Sequence, residues 1–387
     1  MRKTLTLLPF LVLISHCGVT QKEKPITEIR VGAERMEEYL PVIKDKSVGL
    51  CVNHTSMVRD MHLVDTLLSR NVDVVKIFTP EHGFTGTADA GEKVENTEKN
   101  SLPVISLYGQ NKKPQTEDIA DLDYMIFDIQ DVGARFYTYI STMHYIMQAC
   151  AENNIPLLIL DRPNPNGHYV DGPVLDTTFR SFVGMHPIPV VHGLTVGELA
   201  LMINGEKWLK GGIKCELDVI KVQNWKHDTP YSLPMSPSPN LPTDLAVILY
   251  PSLCLFEGTV VSVGRGTDNP FQVIGHPEYS KGTFDFTPRP SPGARKPKLA
   301  GELCHGYLFA DSSDVSGFSL QYIMEFYREL NNKIEGSFFN DYFDTLAGNA
   351  ELRKQMENGW TENMIRQTWY PALQDYREKR KKYLLYP

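Results

Sequence analysis

The amino-acid sequence predicts an α/β fold, in which a doubly wound parallel sheet is followed by a smaller α/β unit. Three observations predict it. Short apolar runs rich in Val, Ile and Leu recur between residues 48 and 165, helical patterns separate these runs, and polar segments containing Pro and Gly follow them. Such runs are typical of parallel strands that are buried on both faces of a sheet.

The apolar runs predict five strands, at residues 48–53, 72–78, 103–107, 124–128 and 156–160. Helical patterns at residues 61–69 and 138–153 separate members of this set. Residues 233–242 are dense in proline, which is excluded from helix interiors and central strands, so they predict an extended loop. We predict another buried strand directly after it, at residues 245–250.

A second domain follows the sheet domain. Helical patterns in this part of the chain lie at Gln321–Leu330 and at residues 361–383, where Lys and Arg are frequent. We place the boundary so that residues 25–256 form the larger domain and residues 257–387 the smaller, ancillary one.

The first residues have the composition of an export signal. Two basic residues precede a short apolar run at residues 5–14, which is too short to span a bilayer but has the length of a signal-peptide core. We therefore predict that residues 1–17 direct export to the periplasm or the membrane surface. Three alternatives are open for Cys17, namely lipid attachment, ordinary cleavage nearby, or no role, because His16 departs from the small residue expected before a lipidated cysteine.

Charge and cysteine usage exclude several classes of partner. A net charge of −8 argues against a nucleic-acid surface, which requires a basic face. The remaining cysteines are scattered singly and lack the spacing of a zinc site or of a disulfide scaffold, so we predict buried free thiols at Cys51, Cys150, Cys215, Cys254 and Cys304.

Motifs for common cofactors are missing from the sequence. Neither GxGxxG nor GxxxxGK[ST] occurs, so we predict no nucleotide cofactor. His54, His82 and His192 lie in separate motifs without the HExxH spacing, so we predict no metal. The absence of a GxSxG motif also weakens the case for an esterase.

Polar and aromatic residues are concentrated directly after the predicted strands. The carboxyl ends of parallel strands are where such sheets bind ligands, because successive loops converge there. Candidate ligand-contacting residues at these positions are Asn53, Glu81, His82, Tyr108, Asp128, Asp131, Arg135, Phe136, Tyr137, Tyr139, Asp161, Arg162 and Asn164.

Seven strings occur in a fixed order along the chain, at residues 79–84, 127–139, 160–165, 171–176, 187–193, 237–240 and 256–267. They read TPEHGF, FDIQDVGARFYTY, LDRPNP, DGPVLD, PIP with HG, PSPN, and FEGT with GRGT. Together they resemble the exo-β-N-acetylmuramidase family, glycoside hydrolase family 171. The resemblance covers the chain from about Val48 to its last residues.

The resemblance implies a Rossmann-like catalytic domain with an ancillary C-terminal domain and a cleft between them. It also implies release of terminal N-acetylmuramic acid from peptidoglycan fragments, without a metal or nucleotide. Two alternatives from other classes are a lipoprotein that binds muropeptides without turnover, and a cell-wall esterase, for which no Ser-His pair is apparent in the sequence.

Glu81 is the candidate general acid and base. It follows a buried strand between Pro80 and His82-Gly83, so we expect a stiff turn that holds a partly desolvated carboxyl group at the cleft. Desolvation favours the protonated form of a carboxyl group, which a general acid requires. A helix cap or an ordinary loop carboxylate is the structural alternative.

The other candidates have supporting roles. Asp131 or Asp128 is expected to supply the second catalytic carboxylate, with His82 beside Glu81, although an Asp at such a turn also commonly caps a helix. We expect an arginine to bind the lactyl carboxylate of N-acetylmuramic acid, with Arg135, Arg162 and Arg265 as candidates. The predicted substrate-binding residues are Asn53, Arg135, Tyr137, Asp161, Arg162, Asn164, Asn240, Glu257 and Arg265.

Overall fold

The computed structural model describes residues 28–89, 91–92, 95–310 and 317–387. The predicted export signal and Cys17 lie outside the described residues, so export stays a prediction. Within the described part of the chain, no helix is both long and apolar enough to cross a membrane.

Fourteen strands are present in the described residues. In chain order they are β1 Ser47–Val52, β2 Met57–Val58, β3 Met61–His62, β4 Asp73–Thr79, β5 Thr97–Lys99, β6 Leu102–Ser106, β7 Tyr124–Asp128, β8 Leu157–Leu160, β9 Asp171–Val174, β10 Pro189–Val191, β11 Leu217–Ile220, β12 Val273–His276, β13 Phe284–Phe286 and β14 Cys304–Leu308.

The same residues form ten α-helices. They are α1 Met36–Ile43, α2 Leu63–Ser69, α3 Thr116–Ile119, α4 Tyr139–Asn153, α5 Val196–Gly205, α6 Asp244–Leu253, α7 Gln321–Leu330, α8 Phe343–Ala347, α9 Glu351–Glu357 and α10 Glu362–Arg380. Short 3-10 helices lie at Gly32–Glu34, Thr177–Phe179, Lys210–Gly212, Cys254–Gly258 and Lys381–Tyr383.

The central sheet has seven strands in the order β11-β8-β7-β1-β4-β6-β5. All neighbouring pairs are parallel except β5 with β6 at one edge. Counted along the chain, the six parallel strands therefore lie in the order 3-2-1-4-5-6, which is the doubly wound Rossmann arrangement with its switch point between β1 and β7. The predicted fold class is confirmed, and ligands are expected at the carboxyl ends of these strands.

The five strands predicted for the first domain are confirmed, each to within one residue at either end. The three central strands β1, β7 and β8 are buried at almost every residue, which explains why the sequence shows continuous apolar runs rather than alternation. Strands β4 and β6, nearer one edge, are only partly buried. The helix predicted at residues 61–69 begins at Leu63, because Met61 and His62 pair with β2 as a short strand. The predicted buried free thiols are also confirmed.

The strand predicted at residues 245–250 is wrong, since these residues lie within helix α6. The Thr243 side chain caps the helix by accepting a hydrogen bond from the Ala246 backbone N–H, and most residues from Ala246 to Leu253 are buried. A short apolar run fits a buried helix as well as a buried strand, so periodicity alone does not separate the two. The preceding proline-rich residues 233–242 form a loop without helix or strand.

The second part of the chain contains the antiparallel sheet β12-β14-β13 and helices α7 to α10. The helix predicted at Gln321–Leu330 is confirmed as α7. Helix α10 returns to the first part of the chain, where Arg366 pairs with Asp171 at 2.8 Å and the Tyr376 hydroxyl donates to the His192 carbonyl at 2.7 Å. One apolar core runs through both parts, and the predicted domain boundary stays a prediction.

Candidate active site

A cavity of about 410 Å³ lies at the carboxyl ends of β4, β6 and β7, a size that suits a small ligand. Loops after these strands form one side, and residues near α6 and the start of α8 form the other. The sequence candidates that it brings together are Glu81, His82, Tyr108, Phe136, Tyr137, Tyr139, Asn240, Glu257 and Arg265.

Glu81 is held in the cavity wall by hydrogen bonds to both carboxylate oxygens. The Thr138 hydroxyl donates to Oε2 at 2.7 Å, and the Gly91 backbone N–H donates to Oε1 at 3.0 Å. The Glu81 carboxylate also neighbours the Tyr108 hydroxyl and raises its pKa. Only 9% of the Glu81 surface is exposed, so these donors fix the position of a nearly buried carboxylate.

Burial raises the pKa of the Tyr108 hydroxyl, and the neighbouring Glu81 carboxylate acts in the same direction. Tyr108 therefore keeps its proton at neutral pH. The Tyr108 ring also lies 5.9 Å from the ring of Phe182, which lines the cavity.

The turn that carries Glu81 has a constrained backbone. His82 has φ 70°, a conformation that is uncommon for a residue other than glycine. Its ring Nδ1 lies 2.6 Å from the Ala88 carbonyl oxygen, and the Ala88 backbone N–H donates to the His82 carbonyl at 3.4 Å. These two bonds close the loop after Glu81 and hold His82 against the cavity.

Glu257 and Arg265 form a two-point ion pair in the opposite wall. Arg265 Nε and Nη2 each donate to one carboxylate oxygen of Glu257 at 2.8 Å. Burial by itself would raise the pKa of Glu257, but the charge and hydrogen bonds of Arg265 outweigh burial and hold that pKa below its usual value. Both side chains therefore stay charged, and each largely neutralises the other.

Tyr137, Tyr139 and Asn240 are fixed at the base of the cavity by bonds to loops. The Tyr137 and Tyr139 hydroxyls both donate to the Pro237 carbonyl, at 2.8 and 3.1 Å. Asn240 Nδ2 donates to the Gly293 carbonyl at 2.8 Å. The proline-rich loop is thereby tied to the sheet domain, and aromatic faces line the cavity.

Asp128 and Arg162 lie outside the cavity wall and pair with each other. Arg162 Nε and Nη2 donate to the two Asp128 oxygens at 2.6 and 2.9 Å, and both side chains are almost completely buried. Burial would lower the pKa of Arg162, but Asp128 more than offsets it and raises that pKa. Neither side chain is available to a ligand in the cavity.

Three more candidates from the sequence form hydrogen bonds with neighbouring backbone and side-chain groups. Asp161 accepts hydrogen bonds from the Thr195 hydroxyl at 2.6 Å and from the Gly197 N–H at the start of α5. Asn164 Nδ2 donates to the Leu194 carbonyl at 2.8 Å. Asn53 Oδ1 accepts from both the backbone and the hydroxyl of Thr55, at 2.9 and 2.6 Å. None of Asp161, Asn164 and Asn53 lines the cavity.

Arg135 is also absent from the cavity wall, and its guanidinium group is fully buried. Nη1 donates to the carbonyls of Pro173 and Ile188, and Nη2 to those of Leu346 and Ala347, at 2.7 to 3.1 Å. Nη2 therefore connects Arg135 to helix α8, whereas Nη1 holds β9 and the residue before β10. This geometry does not support the binding of a substrate carboxylate by Arg135.

Asp131 lies close behind the cavity. Its Oδ2 accepts the Gly133 N–H at 2.7 Å and lies 3.7 Å from Nε2 of His192. Among the described residues, no hydrogen-bond partner reaches Oδ1, although this atom is buried. Burial raises the pKa of Tyr137, and the Asp131 charge adds to that effect, so the two side chains are electrostatically linked.

Several wall residues were not among the sequence candidates, and four of them bear on the chemistry of the site. Thr138, Lys112, Phe182 and Tyr342 come from the start of α4, from two loops and from the residue before α8. Only Thr138 lies within a string that the sequence already singled out. The other three lie in stretches without an apolar run or a motif, and their proximity results from folding.

A second hollow of about 650 Å³, here called the outer hollow, opens beside the cavity. The two share Gly91, Glu257 and Arg265 in their walls, and residues 293–298 line the outer hollow alone. Because Gly91 donates to Glu81, that carboxylate lies next to the boundary between the two spaces. Within the described residues, no group of three or more His, Cys, Asp or Glu side chains is arranged to hold a metal ion.

Comparison with known families gives two adjacent matches. The N-terminal domain model of exo-beta-N-acetylmuramidase NamZ matches residues 48–245, and the C-terminal domain model matches residues 248–386. The chain belongs to the exo-beta-N-acetylmuramidase NamZ family. The family predicted from the sequence strings is therefore confirmed, as is the expectation of a glycoside hydrolase.

Individual proteins are also similar to this chain over nearly its whole length. Peptidoglycan beta-N-acetylmuramidase NamZ of Bacillus subtilis is 39% identical over 91% of this chain and 89% of its own length. Two solved DUF1343 family proteins of Bacteroides fragilis are 45% and 30% identical, with TM-scores of 0.86 and 0.80. Each comparison covers 93% of this chain and 99% of the solved one.

Proposed function

We propose that this NamZ family protein releases terminal N-acetylmuramic acid from peptidoglycan fragments during cell-wall turnover, with Glu81 as the proton-handling carboxylate. The observation that carries the proposal is the position of Glu81 beside the boundary between the cavity and the outer hollow. A glycosidic bond between a sugar in the cavity and the rest of a glycan in the outer hollow would cross this boundary.

Glycoside hydrolysis requires an acid that protonates the departing oxygen. Glu81 is one of two carboxylates in the described cavity wall, and the other, Glu257, is paired with Arg265 at both oxygens. Thr138 and Gly91 fix the Glu81 carboxylate without a positive charge. Glu81 is thus better placed than Glu257 to exchange a proton with a bound substrate.

The shape of the site supports action at a chain end. The cavity is walled by the sheet domain, the proline-rich loop and Tyr342, and the outer hollow adjoins it at Gly91, Glu257 and Arg265. Aromatic side chains such as Tyr137 and Phe182 line the cavity and supply apolar contacts for a pyranose ring. One terminal sugar would fill the cavity, and the remaining glycan would extend through the outer hollow.

We propose Asp131 as the supporting carboxylate that orients the sugar through Tyr137. Its charge acts on the Tyr137 hydroxyl, and its Oδ2 is fixed by the Gly133 N–H. Asp128 is the weaker candidate for this role, because Arg162 occupies both of its oxygens.

The decisive experiment compares two substrates that differ in leaving group. Glu81→Gln should lower the rate of N-acetylmuramic acid release from a muramic acid–glucosamine disaccharide by roughly 10²- to 10⁴-fold, the usual scale of general acid catalysis. With a dinitrophenyl N-acetylmuraminide, the loss should be much smaller, because this group departs without protonation. The melting temperature should stay close to that of the wild type.

Glu98→Gln is the matched control, because Glu98 is an exposed carboxylate on β5 outside the cavity. It should leave both rates unchanged. If the wild-type protein binds the disaccharide without releasing sugar, it is a binding protein instead. If Glu81→Gln retains near-normal turnover on the disaccharide, another group donates the proton.

We also propose that the enzyme works outside the cytoplasm, on the basis of the basic start and apolar run that end at Cys17. Cell fractionation should find the protein in the periplasm or membrane. Loss of fatty-acid labelling in Cys17→Ala would indicate lipid attachment, and a full-length cytoplasmic protein that retains Met1 would contradict export.

A further inference from the structure

The cavity wall contains two positively charged side chains, and only one of them is paired with a carboxylate. Among the described wall residues, Lys112 and Arg265 are the Lys and Arg side chains present. Arg265 is paired with Glu257 at two points, whereas no carboxylate of the described residues lies within ion-pair distance of Lys112. The cavity wall therefore contains one positive charge that no carboxylate in the described part of the chain compensates.

Aromatic packing holds Lys112 at the wall. Its Nζ lies 4.6 Å from the centre of the Phe182 ring, a cation–π contact, and the side chain is half-buried. Phe182 in turn packs against Tyr108, which lines the same wall as Glu81 and whose hydroxyl pKa the Glu81 carboxylate raises. Lys112, Phe182, Tyr108 and Glu81 thus form one continuous wall with an ammonium group at one end and the candidate acid at the other.

Lys112 also lies on the cavity side of the boundary. Arg265, Glu257 and Gly91 line both the cavity and the outer hollow, but Lys112 lines the cavity alone. A group that meets Lys112 therefore belongs to the sugar inside the cavity, not to the glycan that extends through the outer hollow.

We propose that Lys112 binds the lactyl carboxylate of the sugar in the cavity and thereby selects N-acetylmuramic acid over N-acetylglucosamine. This inference rests on the proposed function, because it takes the terminal sugar to occupy the cavity. An unpaired ammonium group in a partly desolvated wall attracts an anionic substituent more strongly than one exposed to water. The same charge offers nothing specific to a sugar that lacks the carboxylate.

The three arginines that the sequence suggested for this contact are less suitable. Arg135 donates to four backbone carbonyls, and Arg162 is held by Asp128. Arg265 would have to exchange Glu257 for the substrate, which would leave a partly buried carboxylate without its partner. Lys112 binds a carboxylate without breaking an existing ion pair.

The test measures kcat/KM for an N-acetylmuraminide and an N-acetylglucosaminide with the same leaving group. Lys112→Met should lower the ratio of the two values by roughly 10- to 100-fold, the range of one charge-assisted contact. The loss should fall on the muraminide, mainly in KM, and Lys112→Arg should restore most of it. The methyl ester of the muraminide should be hydrolysed equally by wild type and Lys112→Met.

Lys113→Met is the matched control, because Lys113 is the adjacent lysine, lies outside the cavity wall and pairs with Glu152. It should keep the wild-type ratio. Equal losses on both sugars in Lys112→Met, or no change in the ratio, would overturn the proposal.

Calorimetric binding of the two free sugars separates this proposal from the proposed function. Should the wild type hydrolyse neither glycoside, the proposed function fails, yet tighter binding of N-acetylmuramic acid that disappears in Lys112→Met would still support carboxylate recognition. Hydrolysis with no dependence of either sugar's binding on Lys112 would refute only the carboxylate site.

Discussion

Glu81 and Asp128 are both carboxylates at the ends of buried parallel strands, but the fold uses them differently. Glu81 follows β4, lines the cavity and accepts hydrogen bonds from neutral donors. Asp128 ends β7, is completely buried and is neutralised by Arg162. The comparison shows that a position at the end of a strand does not by itself make a site. What matters is whether the protein has already given the carboxylate a counter-charge.

The same contrast separates the regions around the two carboxylates. Around Asp128, the buried groups Arg162 and Asp161 have partners within the fold, including the first turn of α5. Around Glu81, the wall is formed by loops, aromatic rings and the uncompensated Lys112. The first region holds the sheet and helices together. The second region places a carboxylate and an unpaired ammonium group where a ligand can contact them.

The largest effect that would test this comparison is on stability. Asp128→Asn should lower the free energy of unfolding by about 3–5 kcal/mol, because it leaves the buried Arg162 charge without its partner. Glu81→Gln removes no counter-charge and should leave the unfolding free energy close to that of the wild type. Urea denaturation of both variants measures the difference.

Removing both the Asp128 and the Arg162 charge tests whether the loss of stability comes from the unpaired charge. In a double-mutant cycle, Asp128→Leu combined with Arg162→Met should cost clearly less than the sum of the single changes, since no unpaired charge then remains. If Asp128→Asn is as stable as the wild type and loses activity instead, the distinction between the two carboxylates fails.

Much of the fold could be predicted because its signals are local. Continuous apolar runs identify β1, β4, β6, β7 and β8, since a strand covered on both faces has no polar side. The same signal failed for α6, where the run was short and only the Thr243 cap distinguishes a helix. Local patterns therefore predict which segments are buried more reliably than which secondary structure they form.

The site could be predicted only in part, because pairing is not a local property. The strings containing Glu81, Tyr137 and Glu257 drew attention to residues that line the cavity. Nothing in the sequence indicates that Arg135 reaches Leu346, a residue 211 positions away. Equally, no motif surrounds Lys112, whose place in the wall depends on the contact with Phe182.

The smallest expected effect is the loss of activity when one hydrogen-bond donor to Glu81 is removed. Thr138→Val removes the hydroxyl that donates to Oε2 at 2.7 Å but keeps the branched shape of the side chain. The Gly91 N–H still holds the carboxylate, so we expect only a roughly 2- to 10-fold fall in kcat/KM on the disaccharide, the scale of one hydrogen bond. Steady-state kinetics with unchanged melting would show that orientation, rather than folding, is affected.

Thr142→Val provides a close control for Thr138→Val, because Thr142 lies one helical turn further along and is fully buried. Among the described residues its hydroxyl has no hydrogen-bond partner, so its loss should leave activity unchanged and stability equal or slightly higher. If both variants lose activity equally, the effect comes from packing of α4 rather than from Glu81. If Thr138→Val is fully active while Glu81→Gln is not, the Gly91 N–H is sufficient to position the carboxylate. One neutral donor to Glu81 can then be lost without effect, whereas the single counter-charge of Asp128 cannot.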